Sequence, residues 1–193
     1  MKSLIFSIVF INSVLISSPQ ADTAIFAGGC FWCVESDFDK VPGVTETISG
    51  YIGGREHNPS YKQVAAGKTG HTEAVKITFD PQQVSYKELL KIFWLSIDPT
   101  TKNSQFCDHG KQYRTGIFYT SAEQKQLAEA SRNKLTTTKP FKEPIVTEIT
   151  QATQFYRAEE YHQDFYTKNP IRYKLYRYNC GRDQRLEQLW GKK

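Results

Sequence analysis

No second Cys-x-x-Cys follows the one at residues 30–33, and no His-x-x-x-His occurs in the chain. A structural zinc site needs four ligands, so this shortage argues against a metal. Beyond residue 21 no apolar run approaches the ~20 residues of a bilayer span, which argues against stable membrane insertion. No internal repeat is present, so repeat arrays are excluded. The net charge of +5 is spread along the chain and not gathered in a tail, so nucleic-acid binding lacks its electrostatic footprint. Aromatic residues make up 13% and charged residues 23%, which is not the composition of a disordered chain.

What is present divides into a leader and one domain. Met1 and Lys2 precede an apolar run from Leu4 to Ile16, followed by the small residues around Ser17, Ser18 and Ala21. This pattern predicts a secretory signal over residues 1–21, and hence an exported, periplasmic or secreted protein. No cysteine in the leader supplies a lipoprotein site. Residues 22–193 suit a single globular domain with its own core. Nothing in them marks an interface, so a monomer is expected.

Hydrophobic periodicity sets the order of elements. A short apolar strand over Thr23–Ala27 runs into Gly28-Gly29. Phe31, Val34, Phe38 and Val41 then recur at helical spacing, until Pro42-Gly43. Strands are predicted over Val44–Ile52, His71–Phe79, Thr115–Tyr119 and Ile145–Thr150. Helical turns are expected near Tyr61, and Ser85-x-x-Glu88 reads as a capping box opening a helix with Leu89, Leu90, Phe93, Trp94 and Ile97 on one face. Further helices are predicted over Ser121–Leu135 and Glu159–Lys168, with a last amphipathic turn around Leu186, Leu189 and Trp190. Residues 98–113 read as a polar loop. The irregular alternation favours a compact α+β domain.

Chemistry points first to Cys30. A thiol at a helix N-terminus faces unpaired backbone N–H groups, which favour the thiolate. Cys33 lies one turn on, within disulfide reach. Phe31 and Trp32 either pack in the core or wall a small pocket beside the thiol, where S-methyl groups fit against rings. Glu73 shares strand parity with Val75, Ile77 and Phe79, so either its carboxyl is desolvated and able to donate a proton, or the strand begins after it and Glu73 is a solvated end. Tyr61, Asp108 and Tyr113 sit in polar loops where functional groups collect, although residue type and position alone favour surface or hydrogen-bonded structural roles for them. Glu35 caps or pairs on the first helix. Cys107 and Cys180 are open between resolving thiols, a structural pair and bystanders, because spacing cannot choose among pairings. The basic and aromatic residues from Arg172 to Tyr178 weakly suggest base stacking.

The ordered motifs Gly-Cys-Phe-Trp-Cys (29–33), Ser-Gly-Tyr-x-Gly-Gly (49–54), Asn-Pro-Ser-Tyr (58–61), Gly-His-Thr-Glu-Ala-Val (70–75), Asp-His-Gly-x-Gln-Tyr-Arg (108–114) and Tyr-His-Gln-Asp (161–164) resemble the blocks of the A-type peptide methionine sulfoxide reductases. They span the chain after residue 21. The resemblance implies a two-layer α+β sandwich around a mixed β-sheet. It implies Cys30 as nucleophile, Phe31 and Trp32 as the methyl pocket, Glu73 as acid, and Tyr61, Tyr113 and Asp108 as groups ordering the sulfoxide oxygen. It further implies reduction of methionine S-sulfoxide, in proteins and as the free amino acid, with no metal or organic cofactor and with a thioredoxin-like reductant. Some members resolve through a C-terminal Cys-Gly, others through Cys-x-x-Cys. Here Cys33 is expected to resolve first and Cys180 to relay the disulfide outward. Two rival readings are a thiol-disulfide oxidoreductase acting through Cys30 and Cys33, and a secreted binding domain held by two disulfides.

Overall fold

Strand alternation and helix caps account for most of the architecture. The structure, a computed structural model, describes residues 21–192; the signal predicted over 1–21 lies, but for Ala21, outside the described residues. In chain order the elements are β1 (Asp22–Gly28), α1 (Phe31–Phe38), β2 (Val44–Ile52), α2 (Tyr61–Ala65), β3 (Thr72–Phe79), α3 (Tyr86–Ser96), β4 (Ser104–Gln105), β5 (Asp108–His109), β6 (Thr115–Tyr119), α4 (Ala122–Thr138), β7 (Glu148–Gln151), β8 (Tyr156–Arg157), α5 (Phe165–Lys168), α6 (Pro170–Asn179) and α7 (Arg182–Trp190), with 3₁₀ turns at Lys111–Tyr113 and Glu160–His162.

The main sheet has the order β7-β6-β1-β3-β2-β8. Only β6 and β7 run parallel; the other neighbours are antiparallel. This is the mixed sheet of a two-layer α+β domain. On one face Phe26, Val75, Ile77 and Phe79 meet Phe38 of α1 and Leu89, Leu90 and Phe93 of α3, all buried. The Phe26 ring lies 4.8 Å from Phe93 and 5.5 Å from Phe38. On the opposite face Ile25, Ala27, Ala74 and Phe118 are covered by Ala152 and Phe155. Each large side chain so buried contributes roughly 1.5–3 kcal/mol. The capping box at Ser85 and Glu88 forms as expected, and Ser121 Oγ accepts from the Gln124 N–H, starting α4.

Three local expectations differ. The loop at 98–113 folds into the small β4–β5 hairpin, joined at Ser104↔His109 and Gln105↔Asp108. The strand expected over 145–150 is β7, Glu148–Gln151. Its earlier residues are taken elsewhere, since the Val146 N–H donates to the Pro99 carbonyl at 2.8 Å. The helix expected over 159–168 is broken into a 3₁₀ turn and α5, with Asp164 in the left-handed region at φ 54°. Gln163 explains the break. Its amide accepts from the Ser49 N–H and donates to the Ser49 and Ala158 carbonyls, pinning the chain to β2. The basic and aromatic stretch is α6, and Gly181 at φ 68° turns the chain into α7.

Candidate active site

The end of β1 builds the site. Gly29 adopts φ 82°, and a side chain there would strike Gln105. The turn delivers Cys30 to the N-cap of α1, where its carbonyl accepts from the Cys33 and Val34 N–H groups. Cys30 and Cys33 are both buried free thiols. Parity holds at Glu73: only 2% exposed, it accepts the Phe31 N–H at 3.0 Å. One carboxyl group thus accepts from the first turn of the helix that carries the thiol.

Cys30, Phe31, Trp32, Tyr61, Glu73, Asp108, Tyr113 and Tyr176 line one cleft of about 60 Å³. That space suits a methylated sulfur with its oxygen rather than a whole ligand. Grooves of about 470 and 490 Å³ lie elsewhere, and neither contains a thiol. All seven cleft residues expected from the sequence therefore converge. Their strands, turns and helices are spread over more than eighty residues, so the tertiary fold performs the assembly.

The walls are braced from behind. Phe31 lies 6.1 Å from Tyr51, 6.4 Å from Tyr61 and 5.0 Å from His162. Trp32 stacks on Phe165 at 3.8 Å, and its indole N–H donates to His162 Nδ1 at 3.1 Å. Burial holds His162 down to about 4, so its ring is neutral and can accept. Glu159 accepts the Tyr51 hydroxyl at 2.7 Å and the Tyr61 N–H at 2.8 Å, fixing two aromatic residues at once. His71 of the Gly-His-Thr-Glu block is structural: its ring accepts the Gly54 N–H at 3.2 Å. Glu35 lies fully buried, and burial pushes its carboxyl up to about 7.

The electrostatics split two roles. Burial pushes Glu73 up to about 8, against the opposing hydrogen bond from Phe31; at neutral pH it is a carboxylic acid with a proton to give. Burial also pushes Tyr61 up to about 12 and raises Tyr113 and Asp108. Cys30 departs from the sequence expectation. Burial raises its thiol, and its hydrogen bond with Cys33 adds to the rise. The helix N-terminus is there, but loss of water outweighs it. Cys33 moves down, to about 7, through its hydrogen bond with Cys30 and the positive field of Arg182 and Arg177.

Cys180, expected as a second redox thiol, is bonded to Cys107 across 73 residues of chain, so in this state neither is free. Tyr176, Glu159, His162 and Arg182 escaped the sequence reading as site residues. Tyr176 lay inside a stretch read only as alternating basic and aromatic residues; helical spacing from Pro170 onward was the signal that could have found it. Arg182, 1% exposed, donates to the Gly28 and Ser96 carbonyls and fastens α7 beneath the thiols.

The family model for peptide methionine sulfoxide reductase matches residues 22–193. The peptide methionine sulfoxide reductase MsrA of Bacillus licheniformis is 51% identical over 91% of this chain and 97% of its own length. That of Ligilactobacillus salivarius is 54% identical over 88% and 98%. The crystal structure of Mxr1 from Saccharomyces cerevisiae in reduced form superposes at TM-score 0.74, with 30% identity, over 82% of this chain and 91% of that one. Mxr1 in complex with Trx2 shares the fold at TM-score 0.54 and 20% identity, over 80% and 91%.

Proposed function

The chain belongs to the peptide methionine sulfoxide reductase family, and from that premise we propose that it reduces methionine S-sulfoxide, in proteins and as the free amino acid, and so repairs oxidised proteins. The observation that carries this reading is a reactive-position thiol, Cys30, sharing one small aromatic-walled cleft with a protonated carboxylic acid, Glu73. The S-methyl group packs against Phe31 and Trp32. Cys30 sulfur attacks the sulfoxide sulfur as Glu73 protonates its oxygen, with Tyr61 and Tyr113 hydrogen-bonding the same atom. The hydroxyl passes to the Cys30 sulfur as the S–O bond and the new S–S bond break, so methionine leaves and Cys30 becomes a sulfenic acid. Summed over the step, one thiol and one sulfoxide give one sulfenic acid and one thioether, so no outside proton is consumed.

Cys33 then attacks the sulfenic sulfur, expelling water and closing a Cys30–Cys33 disulfide. Its thiol at about 7 supplies thiolate at neutral pH. A dithiol protein reduces that disulfide by exchange. The complex of the yeast relative with Trx2 supports a thioredoxin-like donor. The positive start and apolar run within residues 1–21 support export as a periplasmic or secreted protein, and the domain acts as a monomer.

The test adds a peptide bearing methionine S-sulfoxide, and separately its R epimer, to the reduced protein, followed by mass spectrometry of peptide and disulfides. One methionine per chain, from the S epimer alone, with a Cys30–Cys33 bond, is expected; Cys30→Ser should form none. Turnover of a disulfide substrate with no sulfoxide consumed would instead establish a thiol-disulfide oxidoreductase.

A further inference from the structure

The sulfenic-acid step must also take the proton from Cys30, which has Cys33 and Tyr176 as neighbours. Cys30 must lose its thiol proton as its sulfur attacks, while Glu73 already holds its own. Cys33 on α1, Glu73 on β3, Tyr61 on α2, Tyr113 in its 3₁₀ turn, Asp108 on β5 and Tyr176 on α6 face the thiol. The Tyr176 hydroxyl shares the small cleft with Cys30 and donates to Asp108 Oδ2 at 2.5 Å. A tyrosine hydroxyl has one proton; while that proton is donated to the carboxylate, the oxygen can meet the thiol only as an acceptor. That is the geometry of a two-bond relay. Both ends are tied together: Cys107 immediately precedes Asp108, Cys180 caps the C-terminus of α6, and the two are bonded. The Cys107 N–H also donates to Cys180 Sγ at 3.2 Å. Cys107 is exposed, whereas Cys30 and Cys33 are buried and free.

Resting on the reductase reading above, we propose that Tyr176 is a catalytic residue that passes the Cys30 proton to Asp108, and that the Cys107–Cys180 bridge holds the two ends of this relay in register. The Cys30 S–H proton moves to the Tyr176 oxygen as the Tyr176 proton moves to Asp108. Glu73 gives its proton to the departing oxygen. After methionine leaves, protonated Asp108 restores the Glu73 proton through water, so both carboxyls are reset. Burial raises Asp108, which suits a group that must hold a proton briefly. The bridge is then a positioning device and not a station on the disulfide route.

The experiment compares wild type, Tyr176→Phe, Cys107→Ser/Cys180→Ser and the triple variant. Two rates are read from pH 5 to 10: methionine formed in a single turnover, and alkylation of Cys30 by iodoacetamide, which needs no sulfoxide. Tyr176→Phe should slow the single turnover by about tenfold or more, the loss of one charge-assisted hydrogen bond, and shift the alkylation profile to higher pH. The double serine variant should move both readouts the same way. The triple variant should be no slower than Tyr176→Phe, because the bridge acts only through the tyrosine. Thermal unfolding of each variant separates a lost fold from a lost relay. As a check without substitution, opening the wild-type bridge with a dithiol should slow single turnover, and reclosing it should restore the rate.

A double serine variant with the wild-type rate and profile would overturn the proposal. So would multiplicative effects in the triple variant, or a Cys107–Cys180 bond that exchanges with Cys33 during wild-type turnover. Absence of any methionine from wild type would instead strike the reductase reading, and the alkylation profiles would still report on the Tyr176 contact.

Discussion

Glu73→Gln should destroy activity and stabilise the fold, two effects of opposite sign from one atom pair. The amide keeps the size of the carboxyl and an oxygen to accept the Phe31 N–H, but carries no proton acidic enough to give to sulfoxide. General acid catalysis is worth ~10²–10⁴-fold, so single-turnover methionine formation should fall by that order while binding changes little. Stability follows from linkage. Glu73 is 2% exposed and is pushed from an ordinary 4.5 to about 8. Below pH 4.5 folded and unfolded chains both bind the proton, and the group costs nothing. Between pH 4.5 and about 8 the unfolded chain ionises while the folded one does not, so wild-type stability falls as pH rises through that window. At pH 7 the gap of ~2.5 pH units, at about 1.4 kcal/mol each, is ~3 kcal/mol. Glutamine removes that cost, and Tm at pH 7 should rise by several degrees, at about 2–4 °C per kcal/mol. At pH 4 the two proteins should melt together. Wild-type activity should also fall about fivefold from pH 8 to pH 9 as Glu73 ionises. Calorimetry at pH 4, 5.5, 7 and 8.5 with quenched-flow rates checks all three. A Gln variant with an unchanged rate, or a stability difference independent of pH, would refute the reasoning.

Cys33→Ser should release one methionine per chain at the wild-type rate and then stall as a Cys30 sulfenic acid, trapped by dimedone and seen by mass spectrometry. Arg182→Met leaves the Gly28 and Ser96 carbonyls unmatched. It should cost ~2–4 kcal/mol in denaturant unfolding and move the Cys33 thiol above about 7 by removing its cationic neighbour. His162→Leu removes the acceptor of the Trp32 indole N–H; KM for a sulfoxide peptide should rise ~5-fold with kcat largely kept, the value of one neutral hydrogen bond. Opening the Cys107–Cys180 bridge frees a loop spanning 73 residues, and its loss should lower stability by up to ~4 kcal/mol on the chain-entropy account, read as the Tm difference between oxidised and dithiol-treated protein.

Much of the fold was legible because its signals are local. Alternation at Val75, Ile77 and Phe79 places Glu73 on the buried face without any knowledge of its neighbours. Ser85 with Glu88 starts α3, and the glycine pair before Cys30 sets the thiol at a helix cap. What failed was decided by partners far away in the chain. The helix expected over 159–168 is broken because Gln163 pairs with Ser49, 114 residues distant. The strand expected from Ile145 starts late because Val146 bonds to Pro99 instead.

The amino-acid order alone determined a thiol at a helix cap, a carboxyl on a buried strand face, the aromatic pair beside the thiol and the family, since helix caps, strand parity and the ordered family blocks are properties of short segments. Only the tertiary structure decided the rest. It chose one cysteine pairing, Cys107 with Cys180, among those that spacing allows. It brought Tyr176 from a C-terminal helix into the cleft of Cys30, and Glu159 onto both Tyr51 and Tyr61. It also reversed the expected direction of the Cys30 thiol. A helix N-terminus is written in the local sequence, but burial is the sum of everything packed around a group, and here burial is the larger effect.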